Sequence, residues 1–325
     1  MSQRLSLIKL ADQLRTEADA YLYLEQLRWG DQPVCPHCGS VRTPYFLKPS
    51  NGTSRKTRTG SASQRRVWKC ADCRKQFSVL TGTLLHGTKI EVRKWVLVMF
   101  EMASNRNGMS AREIQRKYDV TAEAAWFMAH RLREAMKRDP IAGLLTGRVV
   151  ADETFYGGKP SNRHGHDPKK HHQGEGSRDK ATIMALVSRE TGEVRSRVIP
   201  DVKPGNLRAV LNEETDPAST HLHTDTSAQY FWIGKEFAGH DSVNHTRREY
   251  VRGDVSTNQA ESYFAQLKRS LDGTHHHVSR VHLHRYVTEF DFRYSTCKLA
   301  DSERMAKIIA GTTGRRLTYL KPTRG

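Results

Sequence analysis

The chain has 325 residues, enough for one sizeable catalytic domain with a smaller module or two, each with its own core. Lys and Arg number 53 against 35 Asp and Glu, a net charge of +18 that would repel itself in isolation and suits a polyanion, above all nucleic acid. No apolar run approaches the roughly 20 residues that span a bilayer, and the basic residues are spread over loops and helices rather than gathered on one amphipathic face, so no membrane association is expected and the chain reads as cytoplasmic.

In chain order, MSQRLSLIKLADQLRTEADAYLYLEQLRWG is an amphipathic helical segment, residues 1–30, with acidic residues throughout. Two C-x-x-C units follow, CPHC (Cys35, Cys38) and CADC (Cys70, Cys73), with 31 residues between Cys38 and Cys70. Four thiolates so spaced close a tetrahedral Zn²⁺ site with no position left for water, which makes the single zinc structural. Gly39 and Arg74-Lys75 follow the pairs in the manner of two zinc knuckles. Disulfides or redox dithiols are the competing reading, disfavoured in a cytoplasmic chain with no oxidoreductase pattern around the cysteines. Residues 31–85 are therefore expected to form a zinc ribbon. Its inner stretch, TPYFLKPSNGTSRKTRTGSASQRR, is too polar to bury a core and reads as a basic loop presented to a DNA backbone. Cys297, alone in RYSTCKLA, reads as packing.

Residues 86–140 carry helix-turn-helix spacing. Apolar residues recur at helical intervals through Trp95, Val98 and Met99; then Ser110 can cap a short helix to about Tyr118, Asp119-Val120 make a tight turn, and Thr121 can cap a second helix to about Lys137. On that second helix His130, Arg131 and Arg133 fall where groove or phosphate contacts would be made, with Ala125, Met128 and Leu132 on the packing side. Helix pairs of this length are also common in purely structural bundles; the basic balance and the neighbouring ribbon favour DNA.

Further on, RVVADETFYGGK is a short apolar run reaching Asp152 and Glu153, and strand alternation allows at most one of the two to look into a given site. KATIMALVSRETGEVRSRVIP reads as a hairpin around Thr191-Gly192, and STHLHTDTSAQYFWIG as a strand ending at Asp225, with Ser227 able to cap the helix beyond. Glu261 follows Asp225 after 35 intervening residues, at the start of a helix whose buried stripe is Ala260, Phe264, Leu267 and Leu271. Two roles are open to it: reaching back to an Asn258 N-cap, or holding a metal beside Lys268, two turns along. Two strand acids and a helix acid are what a pair of Mg²⁺ ions requires, since hard cations take oxygen ligands and such a pair clamps the attacking and leaving oxygens of an in-line phosphoryl transfer.

From about Tyr23 to Tyr294 the chain resembles the DDE transposases of bacterial insertion sequences, in the group with an N-terminal zinc ribbon (the ISXO-two-like group, insertion-sequence family fifteen ninety-five). The resemblance rests on the order of CPHCGS, WKCADCRKQFSVLTGT, SAREIQRKYDVTAEAAWFMAHRLREAM, ADETFYGGK, HTDTSAQY, TNQAESYFAQLKRSLDGTHHHVS and RYVTEFDFRYS. It implies a multidomain α+β chain: zinc ribbon and helix-turn-helix, then an RNase H-like α/β core with a mixed sheet over residues 146–297; residues 298–325, which lie beyond the resemblance, are expected as a C-terminal tail. It further implies that Asp152, Asp225 and Glu261 hold two Mg²⁺ or Mn²⁺ ions, with water and then a DNA 3′-hydroxyl as successive nucleophiles, and that Glu153 is a neighbour rather than a ligand. Related transposases sometimes carry Asn or His at the third position, and Asn258 and His276 stand nearby. By the same resemblance Lys159 and Lys268 are phosphate contacts; Arg269 beside Lys268 is read as a further DNA contact, and His275, His276 and His277 as touching DNA or ordering the site rather than binding zinc.

The stretch SNRHGHDPKKHHQGEG reads as a DNA-facing loop rather than a metal site. The expected partners are the element's terminal inverted repeats and target DNA, with at least a homodimer on DNA, in a nucleoid-associated setting. Two rival readings are an RNase H-like nuclease that cuts without joining and a DNA-binding regulator with an inactive core. A binding surface built on charge makes a direct prediction: retention of duplex DNA falls by at least about tenfold between roughly 50 and 200 mM salt, read by gel shift. Salt-independent retention would contradict it.

Overall fold

The computed structural model describes residues 5–42, 44–48, 65–138, 142–157, 180–244 and 251–318. The chain divides into two compact units, residues 1–137 with 299–325, and residues 138–298.

The first unit opens with α1 (Leu7–Gln13) and α2 (Glu17–Trp29); Thr16 caps α2 by accepting from the Asp19 amide at 3.2 Å while Asp19 accepts from the Thr16 amide at 2.7 Å. Three short antiparallel strands follow, β1 (Pro44–Phe46), β2 (Trp68–Cys70) and β3 (Gln76–Phe77). α2 is part of this ribbon, because Trp29 meets Trp68 and Phe77 edge-on at 6.2 and 5.8 Å and closes the apolar cluster around Cys35 and Cys70. The buried Glu25 accepts from Arg66 Nε (2.8 Å) and Trp68 Nε1 (2.9 Å). Pro44–Phe46, expected in the loop, is a strand: Phe46 lies edge-on to Trp68 at 5.6 Å, with the Arg66 guanidinium 4.4 Å from its ring centre. The remainder of that loop, from 49 to 64, lies outside the described residues.

α3 (Val92–Ser104) is the core of this unit, with Trp95, Val98, Met99 and Met102 fully buried. α4 (Ala111–Tyr118) starts at Ser110, whose hydroxyl accepts from the Glu113 amide. Asp119 turns the chain in a left-handed conformation at φ +48°, and Thr121 caps α5 (Ala122–Ala135) by accepting from the Ala124 amide. The residues from 299, expected as a tail, return to this unit as a helix, Asp301–Ala310, packed against α3, α2 and α5 with Met305, Ile308 and Ile309 buried. An apolar stripe of that kind requires a partner.

The second unit is built on a five-stranded sheet: β4 (Leu145–Tyr156), β5 (Ala181–Ser188), β6 (Val194–Ile199), β7 (Thr215–Asp225) and β8 (Gly239–Val243), in the order β6-β5-β4-β7-β8. β4, β5 and β6 are an antiparallel meander, whereas β7 and β8 join in parallel. This is the mixed sheet of an RNase H-like core. Its two faces are covered separately. α6 (Pro204–Glu214) and α7 (Tyr230–Ile233) pack with Val149, Ala151, Leu186 and Leu222, while α8 (Asn258–Ser270) and α9 (Leu283–Ser295) pack with Val150, Ile183, Ala185 and Val187. A small hairpin, β9 (Val251–Arg252) with β10 (Val255–Ser256), precedes α8. Gly147, at φ +72°, sits where the β4–β7 pairing changes register, a backbone shape that a side chain would strain.

α8 and α9 are tied to the sheet by a polar network. Asp291 on α9 accepts from Tyr263 Oη of α8 (2.6 Å) and from the Ser196 hydroxyl (2.7 Å) and amide (2.9 Å) of β6. Burial pushes its carboxyl up to about 7, against the pull of these bonds. The folded chain therefore keeps this proton to higher pH than the unfolded chain. The group's contribution is fully present below about pH 4, is lost as pH rises to about 7, and is constant above. Asp291→Asn is expected to flatten the decline in thermal stability over that window, a difference on the order of a few kcal/mol, and an unchanged pH–melting profile would contradict the assignment.

Candidate active site and metal centre

The ribbon cysteines converge from two turns. Cys35 and Cys38 flank a loop closed by bonds from the Cys35 amide to Ser40 O and the Gly39 amide to Cys35 O, with Gly39 at φ +75°; the Cys70 amide bonds Lys75 O, with Arg74 at φ +59°. Sγ atoms of Cys35 and Cys73 lie 3.6 Å apart, and those of Cys38 and Cys70 3.7 Å. Zinc–sulfur bonds near 2.3 Å in a tetrahedron place sulfurs about 3.8 Å apart, so this cluster fits a structural Zn²⁺. The Ser40 amide favours the Cys38 thiolate, yet desolvation and the three neighbouring sulfurs push that thiol up to about 12, the mark of a cluster that needs a cation to balance four thiolates.

In the second unit, the parallel register Val149↔Leu222 and Val150↔His223 carries on to bring Asp152 level with Asp225 on adjacent strands. Side-chain alternation puts both on the face covered by α8, since Val150 belongs to that face and Leu222 to the opposite one. The Glu153 amide donates to Asp152 Oδ1 (2.8 Å) and the Ser227 amide to Asp225 Oδ1 (3.1 Å). Glu153 points the other way, where the fully buried Tyr230 donates its hydroxyl to it. Burial pushes Glu153 up to about 7, and the charges of both Asp152 and Asp225 add to the effect, which places the two strand acids on the same small region.

Glu261 stands in the first turn of α8, on the exposed side. The helix is capped at Thr257 rather than Asn258, and no capping box forms; instead the Thr257 hydroxyl donates to Glu261 Oε1 at 3.1 Å. Ala260, Phe264, Leu267 and Leu271 are buried, as the stripe requires. Asp152 and Asp225 share the sheet face that α8 covers and Glu261 lies in the first turn of α8, but the three carboxylates are not drawn within the 4.8 Å that the cysteines show. Hard oxygen donors on one face suit Mg²⁺ or Mn²⁺.

The DNA contacts expected on α5 are corrected. His130 is fully buried with its ring 4.2 Å from that of Trp126, Arg133 is 2% exposed, and Arg131 donates to Leu317 O at 3.2 Å and stacks on Phe127. The C-terminal segment covers this side of α5. Arg112, Arg116 and Lys117 on α4 are the exposed basic residues of the pair, Lys117 being held in ion pairs with Glu101 and Glu113. Lys268 and Arg269 are exposed on α8, and His276 is exposed just beyond it at φ +58°, with Nδ1 bonded to Asp272 O. Lys159 and the histidines of residues 161–176 lie outside the described residues. Two groupings went unread in the sequence: the Glu153–Tyr230 pair, and His221, His223 and Asp241, whose ligand atoms lie within 4.8 Å of one another.

Residues 144–295 match the ISXO2-like transposase domain, and residues 15–76 match the transposase zinc-ribbon domain. The ribbon match extends back over α2, in keeping with the seal that Trp29 makes. A protein of Halobacterium salinarum described as an uncharacterized protein in transposable element ISH50 is 26% identical over 303 residues, spanning 90% of this chain and 96% of its own length. Among the described residues no helix is long and apolar enough to cross a membrane.

Because Trp29 and Trp68 flank the cysteine cluster, stripping zinc with a strong chelator is expected to red-shift the tryptophan emission and lower the melting temperature of the first unit, as is Cys38→Ser. Identical emission with and without zinc would contradict a structural role.

Proposed function

We propose, for a chain that belongs to the ISXO2-like transposase family, that it binds the ends of its own element and catalyses cleavage and joining of DNA strands at Asp152, Asp225 and Glu261. The observation that supports this reading is the level placement of Asp152 and Asp225 on adjacent parallel strands, on the sheet face covered by the helix whose first turn carries Glu261.

The three carboxylates would hold two Mg²⁺ or Mn²⁺ ions, which supply charge on the attacking and leaving oxygens of an in-line phosphoryl transfer. The protein's own part is to fix the donors. Thr257 restrains Glu261, backbone amides restrain Asp152 and Asp225, and the buried Tyr230–Glu153 bond anchors β4 directly behind them. In the first reaction water adds to a phosphorus at the element's end and the bond to the 3′ oxygen breaks. In the second, that 3′-hydroxyl adds to a target phosphorus and displaces the target's 3′ oxygen. Lys268, Arg269 and His276, exposed along the same helix and its exit, are assigned phosphate contacts, and Lys159 the same role from the sequence alone.

End binding belongs to the first unit, through the ribbon and the exposed Arg112 and Arg116 of α4. Pairing of two ends calls for at least a dimer on DNA, and access to DNA places the protein in the cytoplasm with the nucleoid.

Asp152→Asn, Asp225→Asn and Glu261→Gln are each expected to lower nicking of a plasmid carrying the element's ends by at least about a hundredfold, with gel-shift retention unchanged. Nicking without 3′-end joining in the parent protein would mean a nuclease. Retention with no Mg²⁺-dependent nicking at all would mean a regulator.

A further inference from the structure

We propose that His221, His223 and Asp241 form a further metal site, taking one first-row divalent ion of the Zn²⁺ class, separate from the four cysteines and from the three carboxylates. The geometry comes from two strands. Alternation along β7 puts His221 and His223 on one face, and the parallel partner β8 sets Asp241 opposite His223. One ligand atom from each residue lies within 4.8 Å of the other two. His221 Nε2 is 2.8 Å from Asp241 Oδ2, and the two imidazole rings stand nearly perpendicular with centres 5.3 Å apart. Ligands held at 2.0–2.1 Å in a tetrahedral site lie about 3.4 Å apart, so an ion needs this contact to open by roughly half an ångström.

The ordinary alternative is an ion pair between His221 and Asp241, both partly exposed. It leaves His223 without a reason. That residue is 2% exposed, one of its ring nitrogens lies in the cluster, and its buried Nδ1 has no hydrogen-bond partner. Buried imidazole nitrogens are normally bonded. Gly239 adds a second constraint. A Cβ there would come within 2.7 Å of His221 Nδ1, so only the bare backbone lets the ring sit with Nε2 toward Asp241.

Two imidazoles and one carboxylate suit Zn²⁺ and its first-row neighbours better than Mg²⁺. Three protein ligands leave a fourth position open. Arg252, 3.5 Å from Asp241 Oδ1, leaves Oδ2 to the ion. An ion here would pin the edge strand β8 to β7, two residues from Asp225 on the same face.

The inference does not depend on the catalytic assignment, and its test reads metal rather than activity. The full chain with Asp152→Asn, which weakens any binding at the carboxylates, is brought to equilibrium dialysis against micromolar Zn²⁺ and its metal counted per chain. His223→Ala and Asp241→Asn, each added to that background, are expected to retain one zinc fewer than the background protein. Asp241 is partly exposed, so Asp241→Asn keeps the test decisive if His223→Ala fails to fold. Titration with Co²⁺ supplies the second readout. Thiolate charge-transfer absorption from the ribbon persists in Asp241→Asn, while a later-filling component with only weak visible bands disappears. Equal zinc counts in the background protein and in a folded Asp241→Asn, or a Co²⁺ titration that the substitution leaves unchanged, would overturn the site.

Discussion

The parallel pairing of β4 with β7 is the constraint on which the catalytic reading depends. Past the irregularity at Gly147, residues 147–150 of β4 are matched one for one to residues 220–223 of β7, and the same register continued by two residues sets Asp152 level with Asp225. A slip of one residue would turn one acid to the opposite face, among the apolar side chains of α6 and α7. The position of Glu153 shows what such a slip would mean. It occupies that opposite face, bonded to a buried tyrosine and pushed toward neutrality by burial, and so is poorly suited to holding a cation in solvent reach.

A second constraint places the third acid. α8 cannot slide along the sheet, because Tyr263, Ser196 and Asp291 tie it to β6 and α9. Its apolar stripe fills the space over β4 and β5. Glu261 is thereby delivered from the helix start, where backbone amides favour negative charge and the Thr257 hydroxyl steadies the carboxylate. The first unit follows a comparable logic on a smaller scale. Its three-stranded ribbon has little core of its own, so Trp29 and the four-cysteine cluster supply what the strands cannot.

Local chemistry was legible in the sequence. The cysteine spacing, the caps at Ser110 and Thr121, the strand ending at Asp225 and the buried stripe of α8 all depend on residues close together in the chain. Misreadings arose where distant residues decide. His130, Arg131 and Arg133 look like a binding face on α5, but the segment around Leu317, some 185 residues onward, covers that side. Nothing in the spacing of α5 announces that cover. Of the two roles open to Glu261, reaching back to an Asn258 cap does not occur, because the chain enters α8 one residue earlier, at Thr257. His221 and His223 were visible as an alternating pair, yet Asp241 joins them only through the β7–β8 register.

Whether the three acids act together on metal is tested most directly by locating the ions. A crystal of the protein with Mn²⁺ and a duplex carrying one end of its element, measured at the manganese absorption edge, should show two anomalous peaks bounded by Asp152, Asp225 and Glu261. Peaks that avoid these carboxylates, or a site that stays empty with DNA bound and Mn²⁺ in excess, would contradict the account.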